Sequence, residues 1–161
     1  MNYTTYDVHH DQNTLNPNSD HRDIMMLWAG CTAGTVQHRF CYTCVISIYH
    51  ANVLYTGPGL KDYITRRLDF LHVQWFRWIL PNPQYDAVEL DKLRFLPITD
   101  ENVFNFIDPA DIMRACHLIP TFMHGKSHSD CTALSLIVRD SDDWNYYYFN
   151  WYDEFPNTHL S

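Results

Sequence analysis

Two cysteines at close spacing offer the first possible chemistry. Cys41 and Cys44 form a CxxC motif, and Cys31, Cys116, Cys131 and ten histidines could complete a tetrahedral zinc site. However, the motif lies in a predicted strand, where side chains three residues apart point to opposite faces, and no second CxxC or CxxH follows at finger spacing. We therefore interpret Cys41 and Cys44 as buried free thiols. No cofactor is predicted; a zinc-binding module or metal-dependent enzyme using Cys41, Cys44 and histidines is the alternative.

Carboxylates and histidines near the C-terminus offer a second possibility. Asp140, Asp142 and Asp143 could bind a divalent metal, but the sequence lacks the further ligands and the central glycine of a calcium loop. A solvated acidic turn is the prediction. His124 and His128 have the HxxxH spacing of a helical metal site, yet the glycine and serines around them predict a loop instead.

The segment 66–78 has the sequence RRLDFLHVQWFRW, in which basic and aromatic residues are interspersed. Exposed arginines could hold phosphate while aromatic rings stack on bases. The predicted contact set is Arg66, Arg67, Trp75, Phe76 and Arg77. The alternative is that the arginines solvate the outside of a barrel whose core the aromatic rings fill, and the net charge of −8 favours it.

The same segment is predicted to be the central strand, because its apolar residues recur at period two. One face is predicted to be buried and the other mixed; the buried face carries Leu71, Val73 and Trp75, and the mixed face carries Phe70, His72, Gln74 and Phe76. The apolar run 41–55, which a Gly-Pro-Gly turn separates from 66–78, is predicted as a second strand. Its alternation fails near 50–52, which indicates a bulge there.

The remaining elements indicate a mainly β protein. Further strands are predicted at 23–28, 90–97 and 117–122, and 133–138 could form a closing hairpin with 144–151. Asp108 and Pro109 are typical of a helix start, followed by one short helix. The prediction is a small, partly open β-barrel, a BAH-like or SH3-like roll, with one short helix and a loose N-terminal arm. The arm covers 1–22, the domain 23–152, and a frayed tail 153–161.

Length and composition agree with one folded domain. The chain has 161 residues, 46% of them hydrophobic and 16% aromatic, which suffices for a packed core. Its acidity opposes binding that depends on neutralising phosphates. No run has the length of a membrane span, and the N-terminus lacks the pattern of a secretion signal. We therefore expect an intracellular location, with the nucleus as one option, and free thiols rather than disulfides.

Several stretches in order resemble one protein family. They are YTTYDV and LNP near the start, IYHANVLYTGPG at 48–59, RRLDFL followed by VQWF, FIDPADIMRACHLIPTF at 106–122, and DSDDW with the tyrosines after it. Together they are similar to the C-terminal region of transposon-encoded proteins of mushroom-forming fungi, of the Plavaka and Kyakuja-Dileera-Zisupton type. The likeness extends from residue 2 to residue 150.

The chain departs from this family in two places. Cys44 stands where the family tends to have a basic residue, and the chain ends soon after the tyrosine run, where the family continues. The resemblance therefore implies a truncated or decayed copy. It also implies that the transposase catalytic core lies upstream, so that no catalytic residue carries over.

The resulting expectation is a non-enzymatic accessory domain of a transposon-derived protein. It would mediate docking to a chromatin protein, another protein or nucleic acid, without a membrane partner. Besides the zinc alternative, a decayed copy with no activity is the third possibility. Cooperative unfolding would distinguish a true domain from that last case.

Overall fold

The fold is known from a computed structural model, which describes residues 3–6, 12–27, 40–59, 62–79, 92–128, 135, 138 and 140–149. This part of the chain is mainly β, and its main sheet is open and strongly curled, close to half of a barrel. The mainly β, partly open barrel predicted from the sequence is thus confirmed. The finer likeness to a BAH or SH3 roll stays a prediction, and the predicted tail at 153–161 lies outside the described residues.

Ten strands are described, and eight of them form the main sheet in the order β8-β3-β4-β5-β6-β10-β9, with β7 also paired to β5. They are β1 Tyr3–Tyr6, β2 Gln12–Leu15, β3 Asp23–Leu27, β4 Phe40–Val53, β5 Arg66–Ile79, β6 Lys92–Phe95, β7 Phe104–Ile107, β8 Ile112–Ala115, β9 Leu118–Pro120 and β10 Tyr147–Phe149.

The central position predicted for 66–78 is confirmed. Strand β5 pairs with β4 along one edge, and its other edge pairs first with β7 and then with β6. All these pairs are antiparallel. The β-branched and aromatic residues of β5 suit a strand that has neighbours on both edges.

The irregularity in β4 lies earlier than the sequence pattern indicates. The pairing with β5 shifts between Val45 and Ser47, so Ile46 is the extra residue of a bulge. From Ser47 to Val53 the pairing is regular, and the predicted bulge at 50–52 is therefore wrong. A bulge reverses which alternate residues face the core. It explains why a single period-two pattern does not fit the whole of β4.

The sheet buries apolar side chains on both faces. Cluster one consists of Leu15, Ile24, Met26, Val45, Leu71, Val73, Ile107 and Ile112. Cluster two consists of Met25, Tyr42, Cys44, Phe76, Leu93, Leu118, Tyr147 and Phe149. Strands β3, β4 and β5 contribute to both clusters because their successive side chains point to opposite faces. The face of β5 predicted to be mixed is consequently buried at Gln74 and Phe76.

The predicted short helix is confirmed as a three-residue 3-10 helix at Pro109–Asp111. The side chain of Asp108 accepts a hydrogen bond of 2.8 Å from the backbone N–H of Ala110, as expected of an N-cap. Strand β8 begins immediately afterwards at Ile112. Neither β8 nor β7 was evident from the sequence, because both adjoin the stretch in which Asp108 and Pro109 indicate a helix.

The predicted N-terminal arm docks on the domain. Strands β1 and β2 pair as a hairpin and lie against β8. Leu15 is fully buried in cluster one. The hairpin predicted between 133–138 and 144–151 lies largely outside the described residues; within them, β10 pairs with β6 and β9.

Candidate functional site

Five aromatic side chains from three strands lie on one face of the sheet. Tyr49 of β4 pairs directly with Phe70 of β5, and His72 of β5 pairs with Phe106 of β7. Residues that pair directly, or that are two apart on one strand, share a face, so Phe104 belongs to the same group. We call Tyr49, Phe70, His72, Phe104 and Phe106 the aromatic face.

The rings of the aromatic face contact one another. The ring centroids of Tyr49 and Phe70 are 5.7 Å apart in a stacked arrangement. Phe106 lies edge-on to Phe70 at 5.5 Å and is tilted against His72 at 5.0 Å. These distances are in the range at which aromatic pairs attract, so the rings hold one another in position without a covering layer.

The aromatic face is exposed at Tyr49 and Phe106 and half-buried at its other three residues. β7 pairs with β5 from Leu71 onward, and among the described residues the earlier part of β5 pairs with β4 alone. On this side of β5, Phe76 is 7% exposed, whereas Leu68 is 49% exposed. On the neighbouring strands, Tyr49 is 43% and Phe106 is 60% exposed. The face thus changes from core to open surface along one strand.

The two arginines at the start of β5 both form ion pairs. The Arg66 Nη2 is 2.8 Å from the Asp62 Oδ2, and the Arg67 Nε is 2.8 Å from the Asp69 Oδ1. Arg66 is two residues before Leu68 and shares the side of the aromatic face, whereas Arg67 points to the opposite side. Both positive charges therefore have a negative charge next to them.

Acidic groups border the aromatic face at its β7 edge. Asp108 follows Phe106 by two residues with extended backbone dihedrals, and its side chain is exposed. Asp111 is exposed in the next turn. Burial lowers the pKa of His72, so its ring is neutral near pH 7. The surroundings of the aromatic face are thus neutral to negative.

The predicted contact set does not form one surface. Arg66 and Arg67 begin β5, whereas Trp75 and Arg77 lie eight to eleven residues further along the strand, which corresponds to roughly 30 Å. Arg77 is exposed there, and Trp75 packs partly buried against cluster one. Of the predicted residues, Arg66 and Phe76 lie on the side of the aromatic face.

Phe76 belongs to the core instead. It is 7% exposed, and its ring stacks on Phe95 with centroids 4.1 Å apart and meets Tyr147 edge-on at 5.6 Å. It therefore has no ring face to offer a ligand.

The two cysteines of the CxxC motif point to opposite faces, as predicted. Cys41 packs against cluster one, and Cys44 is buried in cluster two. Burial raises the pKa of Cys41 to about 11 and raises that of Cys44 well above its usual range. Both thiols therefore stay protonated at neutral pH, and they cannot chelate one ion together. Cys41 and Cys44 are free cysteines, and Cys31 and Cys131 lie outside the described residues.

The prediction of a solvated acidic turn is wrong for two of its three carboxylates. Asp140 is 2% exposed and Asp143 is 6% exposed. Asp140 accepts a hydrogen bond from the backbone N–H of Ser135, and its carboxylate is 3.5 Å from His128. Only Asp142 is exposed, where it pairs with Lys126 at 2.8 Å. The described residues contain no group of three or more candidate metal ligands.

Comparison of the chain with protein-family models, curated proteins and solved structures finds no match. Among the described residues, no helix combines the length and the apolar character needed to cross a membrane.

The sequence contains the spacing that forms the aromatic face, but the pattern within each single strand does not show that the strands lie side by side. Phe104 and Phe106 have the same spacing of two as Phe70 and His72. Without the pairing of β7 with β5, nothing indicates that these two short patterns form one surface. Tyr49 joins them only through the register that follows the bulge at Ile46.

Proposed function

We propose that the chain is a non-enzymatic docking domain whose aromatic face binds a lysine- and arginine-rich segment of a partner protein. The observation that carries the proposal is the group of contacting aromatic rings on β4, β5 and β7, in which Tyr49 and Phe106 are exposed and the other three are half-buried. Phe106 and Tyr49 expose 60% and 43% of their surface. Contiguous exposed aromatic side chains are typical of protein interaction sites, because each ring contributes a large contact area at a small cost in entropy.

The charges around the aromatic face favour a basic partner. The arginines at this end of β5 are each paired with an aspartate, and Asp108 and Asp111 add negative charge at the β7 edge. The whole chain carries a net charge of −8. Such a surface attracts cations and repels phosphates. Aromatic ring faces also bind lysine and arginine side chains directly.

A transposon-derived, chromatin-associated role fits this partner chemistry. Histone tails are lysine- and arginine-rich, extended segments of the kind that the aromatic face would accept. The resemblance to transposon-encoded fungal proteins supports the same role, and an intracellular, nuclear location would follow from it.

Fluorescence anisotropy with three labelled probes tests the proposal. The probes are a histone-tail peptide, the same peptide with its lysines and arginines changed to glutamine, and a single-stranded oligothymidylate. We expect the basic peptide alone to bind. Phe106→Ala and Tyr49→Ala should each weaken binding about ten-fold, or roughly 1.4 kcal/mol.

The matched control is Phe122→Ala, because Phe122 is 70% exposed but lies outside the aromatic face. It should bind like the unchanged chain. Binding of the oligonucleotide in place of the peptide would reject the basic partner. Equal binding of the glutamine peptide, self-association through the aromatic face, or no binding of any probe would reject it as well.

A further inference from the structure

A second site lies away from the aromatic face, where the residues before β3 meet β9 and β10. A part-open cavity of about 390 Å³ is located there. Its walls include three carboxylates, one guanidinium group and two aromatic rings, which belong to Asp20, Asp23, Asp142, Arg22, Trp144 and Tyr147. The volume is in the range of small-molecule sites.

The carboxyl group of Asp23 has a buried oxygen that lacks a hydrogen-bond donor among the described residues. Its Oδ1 atom is buried and accepts no hydrogen bond from the residues that the structure describes. A buried carboxylate oxygen without a donor is energetically costly. A ligand that supplies an N–H group would remove this cost.

The neighbouring carboxylate of Asp143 is buried as well. The hydroxyl oxygen of Tyr147, which lies beside it, accepts a hydrogen bond of 3.0 Å from the backbone N–H of Trp144. The Arg22 Nη2 is 3.9 Å from the Asp143 Oδ1, which is too far for a hydrogen bond. Arg22 therefore compensates the carboxylates only in part.

We propose that this cavity binds a guanidinium group, carried by an arginine side chain or by a free guanidino compound, with Asp23 as its acceptor and Trp144 as its aromatic wall. A guanidinium group presents a planar set of N–H donors that matches a carboxylate, and it also stacks on indole rings. Anions are disfavoured because Asp20, Asp23 and Asp142 outnumber Arg22 on the walls, although Lys126 pairs with Asp142 at 2.8 Å. The site shares no residue with the aromatic face, so either proposal can fail alone.

Guanidinium binding at this site should strengthen as pH rises. Burial raises the pKa of Asp23 to about 7, although the positive charge of Arg22 opposes the shift. The other groups that act on Asp23 are Asp20, Cys44 and Asp143. Because a bound cation favours the ionised carboxyl, binding near neutral pH releases a proton, and affinity increases from about pH 6 to about pH 8.

Isothermal titration calorimetry with the full chain tests the proposal. The probes are N-acetyl-arginine amide, its neutral isostere N-acetyl-citrulline amide, and agmatine as a free guanidino compound. We expect the arginine derivative to bind at least about ten-fold more tightly than the citrulline derivative. Tighter binding of agmatine than of the arginine derivative would identify a free compound as the ligand, and the reverse would identify a protein side chain.

Two variants and one pH series decide the outcome. Asp23→Asn should lose binding, whereas Glu101→Gln, which changes an exposed carboxylate outside both proposed sites, should retain it. If Asp23→Asn does not fold, the pH dependence of the unchanged chain provides the same test. Equal affinity for arginine and citrulline, affinity independent of pH, or no binding between about pH 6 and about pH 8 would each overturn the proposal. The positive charge of Arg22 would then be what compensates Asp23 and Asp143.

Discussion

Phenylalanine has two different roles on one face of the main sheet. Phe76 and Phe106 lie on that side because Phe106 pairs with His72, four residues before Phe76. Phe76 is nevertheless 7% exposed and Phe106 is 60% exposed. The residue type and the strand period are the same, so only the neighbouring elements determine which ring is core and which is surface.

Substituting the two phenylalanines should separate these roles. Phe76→Ala removes the ring that packs on Phe95 and Tyr147, and we expect the free energy of unfolding to fall by about 3–5 kcal/mol. Phe106→Ala should lower it by about 1 kcal/mol or less, because its ring is largely in water. Urea denaturation of both variants measures the difference. Similar losses at the two positions would contradict the assignment of Phe106 to the surface.

The buried carboxyl of Asp23 should make stability depend on pH. Burial raises the pKa of Asp23 to about 7 in the folded chain, while the unfolded chain has the ordinary value near 4. Below about pH 4 the group is protonated in both states and contributes nothing. Between about pH 4 and about pH 7, Asp23 is ionised in the unfolded chain but still protonated in the folded chain. The free energy of unfolding therefore falls as the pH rises, on the order of 4 kcal/mol in total.

Asp23→Asn should abolish this contribution, because the amide stays neutral at every pH. The free energy of unfolding of the variant, relative to that of the unchanged chain, should therefore rise between about pH 4 and about pH 7. Asp142→Asn is the control, because the hydrogen bond from Lys126 lowers the pKa of that exposed carboxyl. A difference between Asp23→Asn and the unchanged chain that is constant with pH would show that Asp23 is not a buried acid.

At the scale of elements, the long strands β4 and β5 and the short strands β3, β6 and β9 could be predicted, whereas β7 and β8 could not. β5 has fourteen residues with a clear period of two, and its central place followed from that pattern. β7 and β8 have four residues each and flank the 3-10 helix directly, so the helix-start signal at Asp108 and Pro109 concealed them. The site depended on these short strands, since Phe104 and Phe106 reach the aromatic face only through β7.

The burial of Asp140 and Asp143 could not be predicted from the sequence either. Asp140 and Asp143 have the composition of a solvated turn, and they are buried because other parts of the chain close over them. Their partners Ser135, His128 and Arg22 lie up to about 120 residues away in sequence. Propensity and period describe local preferences, whereas these contacts are tertiary.

The projecting part of the β4–β5 ribbon should open more readily than the centre of the sheet. Among the residues that the structure describes, 50–53 and 66–69 pair only with each other, whereas the later part of β5 also has β7 or β6 on its other edge. A two-stranded ribbon is marginally stable by itself. Hydrogen exchange followed by mass spectrometry should therefore show faster exchange at 50–53 than at 42–45. Equal protection of the two segments would indicate that the ribbon is covered in solution.

At the scale of the whole molecule, the N-terminal hairpin is part of the fold. Leu15 is fully buried in cluster one together with residues of β3, β4, β5, β7 and β8. Leu15→Ala should lower the free energy of unfolding by about 2–5 kcal/mol, because the space it leaves cannot close completely. Leu27→Ala is the matched control, since Leu27 is 50% exposed. Equal effects of the two variants in urea denaturation would place the hairpin outside the cooperative unit.

The two core clusters should unfold together, although they lie on opposite faces of the sheet. Strands β3, β4 and β5 each contribute alternate side chains to both clusters, so neither cluster can be lost while the other keeps its strands. Leu71→Ala in cluster one and Phe149→Ala in cluster two should each shift a single transition to lower temperature. Near-UV and far-UV circular dichroism should then report the same midpoint in each variant. Two separate transitions, or a near-UV signal that is lost before the far-UV signal, would mean that the clusters are independent and that the curled sheet is not one folding unit.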